Sequence, residues 1–164
     1  MNKTEFYRDL NRDFSALMAG ETSFLATLAN TSALLFERLD GVNWAGFYLL
    51  EGDTLVLGPF QGRIACVRIP VGKGVCGTAV AQDQVQRIAD VHAFDGHIAC
   101  DAASNAEIVL PVKVNGQVIG VLDIDSTVFG RFDEADEQGL RELVGHLETL
   151  LSATDYKKFF AHSA

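Results

Sequence analysis

Ile108-Val109-Leu110-Pro111-Val112-Lys113-Val114, then Asn115-Gly116, then Gln117-Val118-Ile119-Gly120-Val121-Leu122-Asp123-Ile124-Asp125, is the stretch that decides the fold. Two apolar, β-branched runs flank a dipeptide that tolerates the positive φ of a type I′ turn, so an antiparallel hairpin is expected here. Working upstream, Val42 to Leu50 alternates with a period of two, Glu51-Gly52-Asp53 reads as a turn and Thr54 to Leu57 as its antiparallel partner. A third strand fits Ile64 to Ile69 and a short one Val85 to Ala89. Gly72, Gly74 and Gly77 punctuate a tight loop that runs into a helical turn over Thr78 to Ala81. Asp90 to Asn105 shows no period, and long irregular segments in a compact domain are commonly functional.

The two ends of the chain read as helices. Downstream of the hairpin, Asp133 caps a helix whose stripe is Leu140, Leu143, Val144, Leu147, Leu150 and Leu151. At the other end Thr22 is placed to cap a helix carrying Leu25, Leu28, Ala29, Leu35, Phe36 and Leu39, stopped by Asp40-Gly41. Phe6, Leu10, Phe14 and Leu17 mark a shorter helix before it. Five or six antiparallel strands between terminal helices predict an α+β fold, the helices covering one sheet face and the other left for a ligand. At 164 residues and 48% hydrophobic composition, the whole chain is expected to form one domain, residues 1–164.

Charge narrows the partners. A net charge of −9 and a pI near 4.7 repel phosphate backbones and anionic headgroups, and the Lys and Arg residues are scattered, so neither nucleic acid nor membrane is an expected partner. No apolar run reaches the roughly 18–20 residues of a membrane span and no secretory leader is visible, which makes the cytoplasm the expected compartment.

Alternation sorts the strand side chains. Ala45, Phe47 and Leu49 share one face, suited to helix packing, while Trp44, Gly46 and Tyr48 share the other. On the last strand Leu122 and Ile124 oppose Ile119, Val121, Asp123 and Asp125, so two carboxylates project side by side. Such a pair repels unless a cation or proton intervenes, and a bound ammonium would satisfy it; the plainer reading is that both acids simply emerge into solvent. Glu107, before the facing strand, adds a third acid. An apolar wall of Trp44 and Tyr48 beside carboxylates would suit a small zwitterion with a greasy tail.

Three cysteines, Cys66, Cys76 and Cys100, make an odd count that argues against a fixed disulfide framework. No two have the close spacing of a structural zinc site, even with His92 and His97 nearby, so no metal is expected. Cys66, in Arg63-Ile64-Ala65-Cys66-Val67, reads as a small buried hydrophobe, Cys76 sits in a glycine-rich loop expected to be exposed and bendable, and Cys100 lies in the irregular segment where a thiol can reach a pocket. Attack of Cys100 on an oxidised sulfur would leave a sulfenic acid, which Cys76 could condense with to a disulfide that an external dithiol resets. No dinucleotide fingerprint stands in a suitable context, and no cofactor is required.

Asn43-Trp44-Ala45-Gly46-Phe47-Tyr48, Gly72-Lys73-Gly74-Val75-Cys76-Gly77-Thr78-Ala79, His97-Ile98-Ala99-Cys100-Asp101 and Gly120-Val121-Leu122-Asp123-Ile124-Asp125-Ser126 together resemble the free methionine-(R)-sulfoxide reductases, a family of GAF-domain enzymes. The resemblance covers nearly the whole chain and includes all three cysteines. It implies a six-stranded antiparallel sheet flanked by helices, free methionine (R)-sulfoxide as substrate and thioredoxin as reductant, and it leaves room for a homodimer. Residue by residue it implies Cys100 as catalytic cysteine, Cys76 as resolving cysteine, and Cys66 as able to exchange into a second disulfide. It further implies Glu107, Asp123 and Asp125 as the acids that hold the amine and assist at the sulfoxide oxygen, with Trp44 and Tyr48 as the aromatic wall. Two rival readings use the same residues: a ligand-sensing GAF module without chemistry, and a thiol peroxidase or redox sensor.

Overall fold

A computed structural model describes residues 2–96 and 103–160. Helices α1 (Lys3–Met18) and α2 (Phe24–Arg38) precede β1 (Val42–Glu51), β2 (Thr54–Gly62) and β3 (Arg68–Pro70). Helix α3 (Gly74–Gln82), β4 (Gln86–Ile88), β5 (Ala106–Val114), β6 (Gln117–Ser126) and α4 (Glu134–Ser152) follow. The strands form one antiparallel sheet in the order β3-β2-β1-β6-β5-β4, so the α+β architecture with six strands is as the sequence suggests.

The hairpin that decides the fold is β5–β6. Asn115 and Gly116 take φ of 52° and 79°, the positive pair that a type I′ turn demands and that Asn-Gly reaches at little steric cost. Pairing runs from Val114 opposite Gln117 to Ala106 opposite Ser126, which puts Glu107 across from Asp125 and Val109 across from Asp123. Strand β6 also pairs with β1, setting Trp44 against Asp125 and Gly46 against Asp123. Both faces are covered, which is why β1 is buried continuously from Trp44 to Tyr48 rather than alternately.

The alternation nonetheless divides the core as expected. Ala45, Phe47, Ile108, Leu110, Leu122 and Ile124 pack with the terminal helices, whereas Trp44, Tyr48, Val109 and Val121 pack with Ile69, Cys76 and Ala79 on the opposite side. Ile119 is the exception. A bulge between Val112 and Lys113 shifts the register beside it, and Ile119 joins the helix-side core instead of the face of Val121 and Asp123.

Other boundaries move for local reasons. Ser23, not Thr22, caps α2, its hydroxyl accepting from the Ala26 amide at 3.0 Å. Leu17, Leu25 and Phe36 fit the helical spacing but lie exposed, outside the stripe that reaches the sheet. Strand β2 runs on to Gly62, past Pro59, while the expected third strand shrinks to Arg68–Pro70, leaving residues 63–67 outside the sheet. The glycine-rich loop is largely helix α3, seated closely because Gly77 has no Cβ: one built there would come within 2.4 Å of the Pro70 carbonyl oxygen.

Helix α1 is fastened to α4 by a buried carboxylate. Asp136 accepts from Lys3 Nζ and Tyr7 OH, both at 2.6 Å, and pairs with Arg131 at 3.3 Å. The Tyr7 ring lies against Gly139, where a Cβ would approach to 2.1 Å. Asp133 forms a capping box with Asp136, confirming the expected start of α4. Among the described residues no helix is long and apolar enough to cross a membrane.

Candidate active site

The face of the sheet turned away from the terminal helices carries the chemistry. Three strands bring Trp44 and Tyr48 (β1), Glu107 (β5) and Asp123 and Asp125 (β6) together, and α3 lays Cys76 against them. Sequence alternation thus places Trp44, Tyr48, Asp123 and Asp125, hairpin register adds Glu107, and tertiary packing adds Cys76.

The acids do not emerge into solvent. Asp123 is 5% exposed, Glu107 is also buried, and Asp125 is half-buried at the rim. Burial, reinforced by the neighbouring Asp123 and Asp125 charges, pushes the Glu107 carboxyl well above the usual carboxylate range. Burial likewise raises Asp123, although hydrogen bonds from Glu107 and Cys76 work against the rise. Burial therefore favours the neutral form of both buried acids, most strongly at Glu107, where the neighbouring carboxylates add to it. Asp123 Oδ1 is buried with no hydrogen-bond partner among the described residues. An orphaned acceptor in that setting is a receptor for a donor, preferably a cationic one.

Cys76 is placed differently from the expectation. It is 3% exposed, lies in the first turn of α3, and its thiol is hydrogen-bonded to Asp123. Burial, and then the three carboxylates, push its thiol well above the ordinary value, so it is a neutral donor rather than a mobile thiolate. The donor atoms of Cys76, Glu107 and Asp123 lie within 4.8 Å of one another. That spacing would also admit a metal ion, since a cysteine distant in sequence joins two acids here, which cysteine spacing alone does not reveal.

Cys66 departs from the reading as a plain buried hydrophobe and shows the disulfide capacity that the resemblance implies. It is half-buried rather than a core hydrophobe, and it is disulfide-bonded, whereas Cys76 is a free thiol. Cys100, with His97, lies outside the described residues.

The aromatic wall is larger than alternation suggested. Trp44 stacks on Tyr48 at 5.9 Å between ring centroids and on Phe60 at 5.1 Å, with interplanar angles of 22° and 15°. Phe60 lies beyond Gly58-Pro59, which reads as the end of a strand; Pro59 is tolerated because β3 pairs only with Thr54–Val56 and the Leu57 amide, bonded to the Val67 carbonyl, makes the last contact on that side. Gly46 makes room for this ring, since a Cβ there would come within 2.2 Å of Phe60 Cβ. Both polar tips are satisfied by the 63–67 segment: Trp44 Nε1 donates to the Arg63 carbonyl at 3.1 Å and Tyr48 OH to the Cys66 carbonyl at 2.9 Å. The wall and the cysteine segment are thereby fixed to each other.

Comparison with known proteins places the chain in a family. Residues 22–152 match the model of a GAF domain family. The chain is 81% identical to free methionine-R-sulfoxide reductase of Escherichia coli (strain K12) over 164 residues, covering 100% of this chain and 99% of the relative. A Neisseria meningitidis free methionine-R-sulfoxide reductase solved in complex with its substrate superposes with a TM-score of 0.90 at 45% identity, over 94% of this chain and 93% of that one. The Staphylococcus aureus fRMsr, also in complex with substrate, gives 0.85 at 51% identity over 88% and 95% of the respective chains.

Proposed function

Because the chain belongs to the free methionine-R-sulfoxide reductases, a family built on the GAF domain, we propose a division of labour among its residues for that reaction. The enzyme reduces free methionine-R-sulfoxide to methionine. The observation that carries its restriction to the free amino acid is the buried acid cluster with an unpartnered oxygen on Asp123. An α-ammonium docked there satisfies that oxygen and relieves the repulsion between Asp123 and Asp125. A peptide-bonded residue brings no charge, and leaves the acids desolvated and unpaired. Trp44, Tyr48 and Phe60 pack the thioether arm.

In the chemical step the Cys100 thiolate attacks the sulfoxide sulfur and takes its oxygen. Methionine is formed by gain of two electrons, and Cys100 becomes a sulfenic acid. Glu107, whose neutral form is favoured by burial, supplies a proton to the departing oxygen. Cys66 then attacks the sulfenic sulfur, water leaves, and a Cys66–Cys100 disulfide closes the half-cycle. The roles suggested for Cys76 and Cys66 are thus exchanged. What supports the exchange is that Cys66 is half-buried and disulfide-bonded, while Cys76 is buried, free and donating to Asp123. A dithiol protein of the cytoplasm, thioredoxin, reopens the bridge.

The test is a pair of substrates with dithiothreitol as reductant: free methionine-R-sulfoxide and its N-acetyl derivative. Blocking the amine should lower kcat/KM by roughly 100-fold, the loss of a buried charged pair worth about 3 kcal/mol. Equal reduction of both would remove the ammonium from the recognition scheme.

A further inference from the structure

The segment between β2 and β3 carries the most exposed large apolar side chain among the described residues. Ile64 is 91% exposed and Val67 53%, on either side of the half-buried pair Ala65 and Cys66. This is a fixed ridge, because its carbonyls are tied to the body at three residues. Arg63 accepts from Trp44 Nε1 at 3.1 Å, Cys66 from Tyr48 OH at 2.9 Å, and Val67 from the Leu57 amide at 2.9 Å. Held through their carbonyls, residues 63–67 present Ile64 and Val67 outward. In a chain of net charge −9 the ridge is also a local cationic site: Arg63 and Arg68 are both exposed and form no ion pair among the described residues.

Building on the reduction cycle above, we propose that Arg63, Ile64, Val67 and Arg68 form the docking surface for the protein dithiol that reduces the Cys66 bridge. The occupant is a thioredoxin-type protein with an apolar active face and an acidic rim. A small dithiol needs only access to sulfur. A protein thiolate must approach along the S–S axis, so it presses its own surface on the residues immediately beside the attacked cysteine, here apolar at positions 64 and 67. Beyond them two unpaired guanidinium groups attract an acidic rim, while the acidic remainder of the chain repels such a partner. Chemistry and contact coincide at Cys66. The partner's thiolate attacks Cys66 Sγ, a mixed disulfide forms, and the other sulfur of the bridge leaves as thiolate. The partner's second thiol, losing its proton, then attacks the mixed disulfide, and Cys66 leaves as thiolate. The enzyme gains two electrons and the partner becomes a disulfide.

The test compares two reductants on the full chain: thioredoxin with thioredoxin reductase and NADPH, and dithiothreitol alone. The double variant Ile64→Asp, Val67→Asp should raise KM for thioredoxin by on the order of tenfold or more and leave dithiothreitol-supported turnover within about twofold of the parent. Arg63→Glu, Arg68→Glu should raise the thioredoxin KM similarly, and it carries the test should the first variant fail to fold. Unchanged thioredoxin KM in a folded variant overturns the proposal. So does a loss accompanied by dissociation of a dimer in sedimentation, which would make the ridge a contact between copies of this chain. If the unmodified protein fails to reduce free methionine-R-sulfoxide with dithiothreitol, the reaction scheme itself fails, a result separable from both.

Discussion

Replacing Asp123 by asparagine should stabilise the substrate-free protein while weakening catalysis, and both effects come from the same buried oxygens. In the resting site the Asp123 carboxylate is buried beside Glu107 and Asp125, and its Oδ1 has no partner among the described residues. Burying that carboxylate in its ionised form beside other acids costs about 1–3 kcal/mol more than burying a neutral amide of the same shape. Asparagine keeps the shape and the acceptor for the Cys76 thiol but removes the charge. For a chain of 164 residues, where about 1 kcal/mol moves Tm by about 2–4 °C, the variant should melt about 3–10 °C higher at neutral pH. The pH dependence fixes the cause. The folded pKa of Asp123 is raised above its ordinary 3.8 by burial, so its favourable contribution is complete below that value and is lost as pH rises through the folded pKa. The gain in Tm should therefore be smallest near pH 4 and grow toward pH 8. Catalysis moves the other way. Losing a charge-assisted contact to the substrate ammonium, worth about 1.5–3 kcal/mol, raises KM by roughly 10- to 150-fold. Calorimetry at both pH values and steady-state kinetics with dithiothreitol measure the two arms. A Tm gain independent of pH, or an unchanged KM, would refute the reasoning.

Other substitutions probe separate parts of the molecule. Cys66→Ser should produce about one equivalent of methionine in a burst and then stall with thioredoxin, leaving a sulfenic acid that dimedone traps for mass spectrometry, whereas Cys76→Ser should still form the bridge. Asp136→Ala strips Lys3, Tyr7 and Arg131 of their shared acceptor and should destabilise by about 3–5 kcal/mol, read as a lowered urea midpoint. Gly46→Val forces a Cβ to 2.2 Å from Phe60 Cβ; it should cost about 1–3 kcal/mol and shift Trp44 fluorescence as the Trp44–Phe60 stack opens.

The hairpin was legible because Asn115-Gly116 carries its own backbone requirement, and the two faces because side chains alternate wherever the ladder is regular. Where the ladder bulges, as beside Ile119, counting by two fails, since nothing in the local residue types marks the extra step. Phe60 was hidden for a related reason: Gly58-Pro59 punctuates an ordinary strand but is harmless on an edge without a long partner. The acid cluster was foreseeable as a pair on β6, while the arrival of Glu107 depended on hairpin register. The cysteines were the least legible. Glycines around Cys76 suggested a loop, yet they serve close packing of α3 on Pro70, and the apolar neighbours of Cys66 suggested burial, yet Ile64 and Val67 face solvent. Tertiary packing, not local composition, decides which thiol is reachable. Cys100 lies outside the described residues, so its role rests on chemistry and kinship.

The most direct measurement is therefore single-turnover methionine formation by Cys100→Ser, mixed with free methionine-R-sulfoxide and dithiothreitol and compared with the parent enzyme. With no sulfur at position 100 to accept the oxygen, the rate should fall by at least about a thousandfold while substrate binding persists. Methionine released at the parental rate would contradict attack by Cys100 and transfer the nucleophile's role elsewhere in the chain.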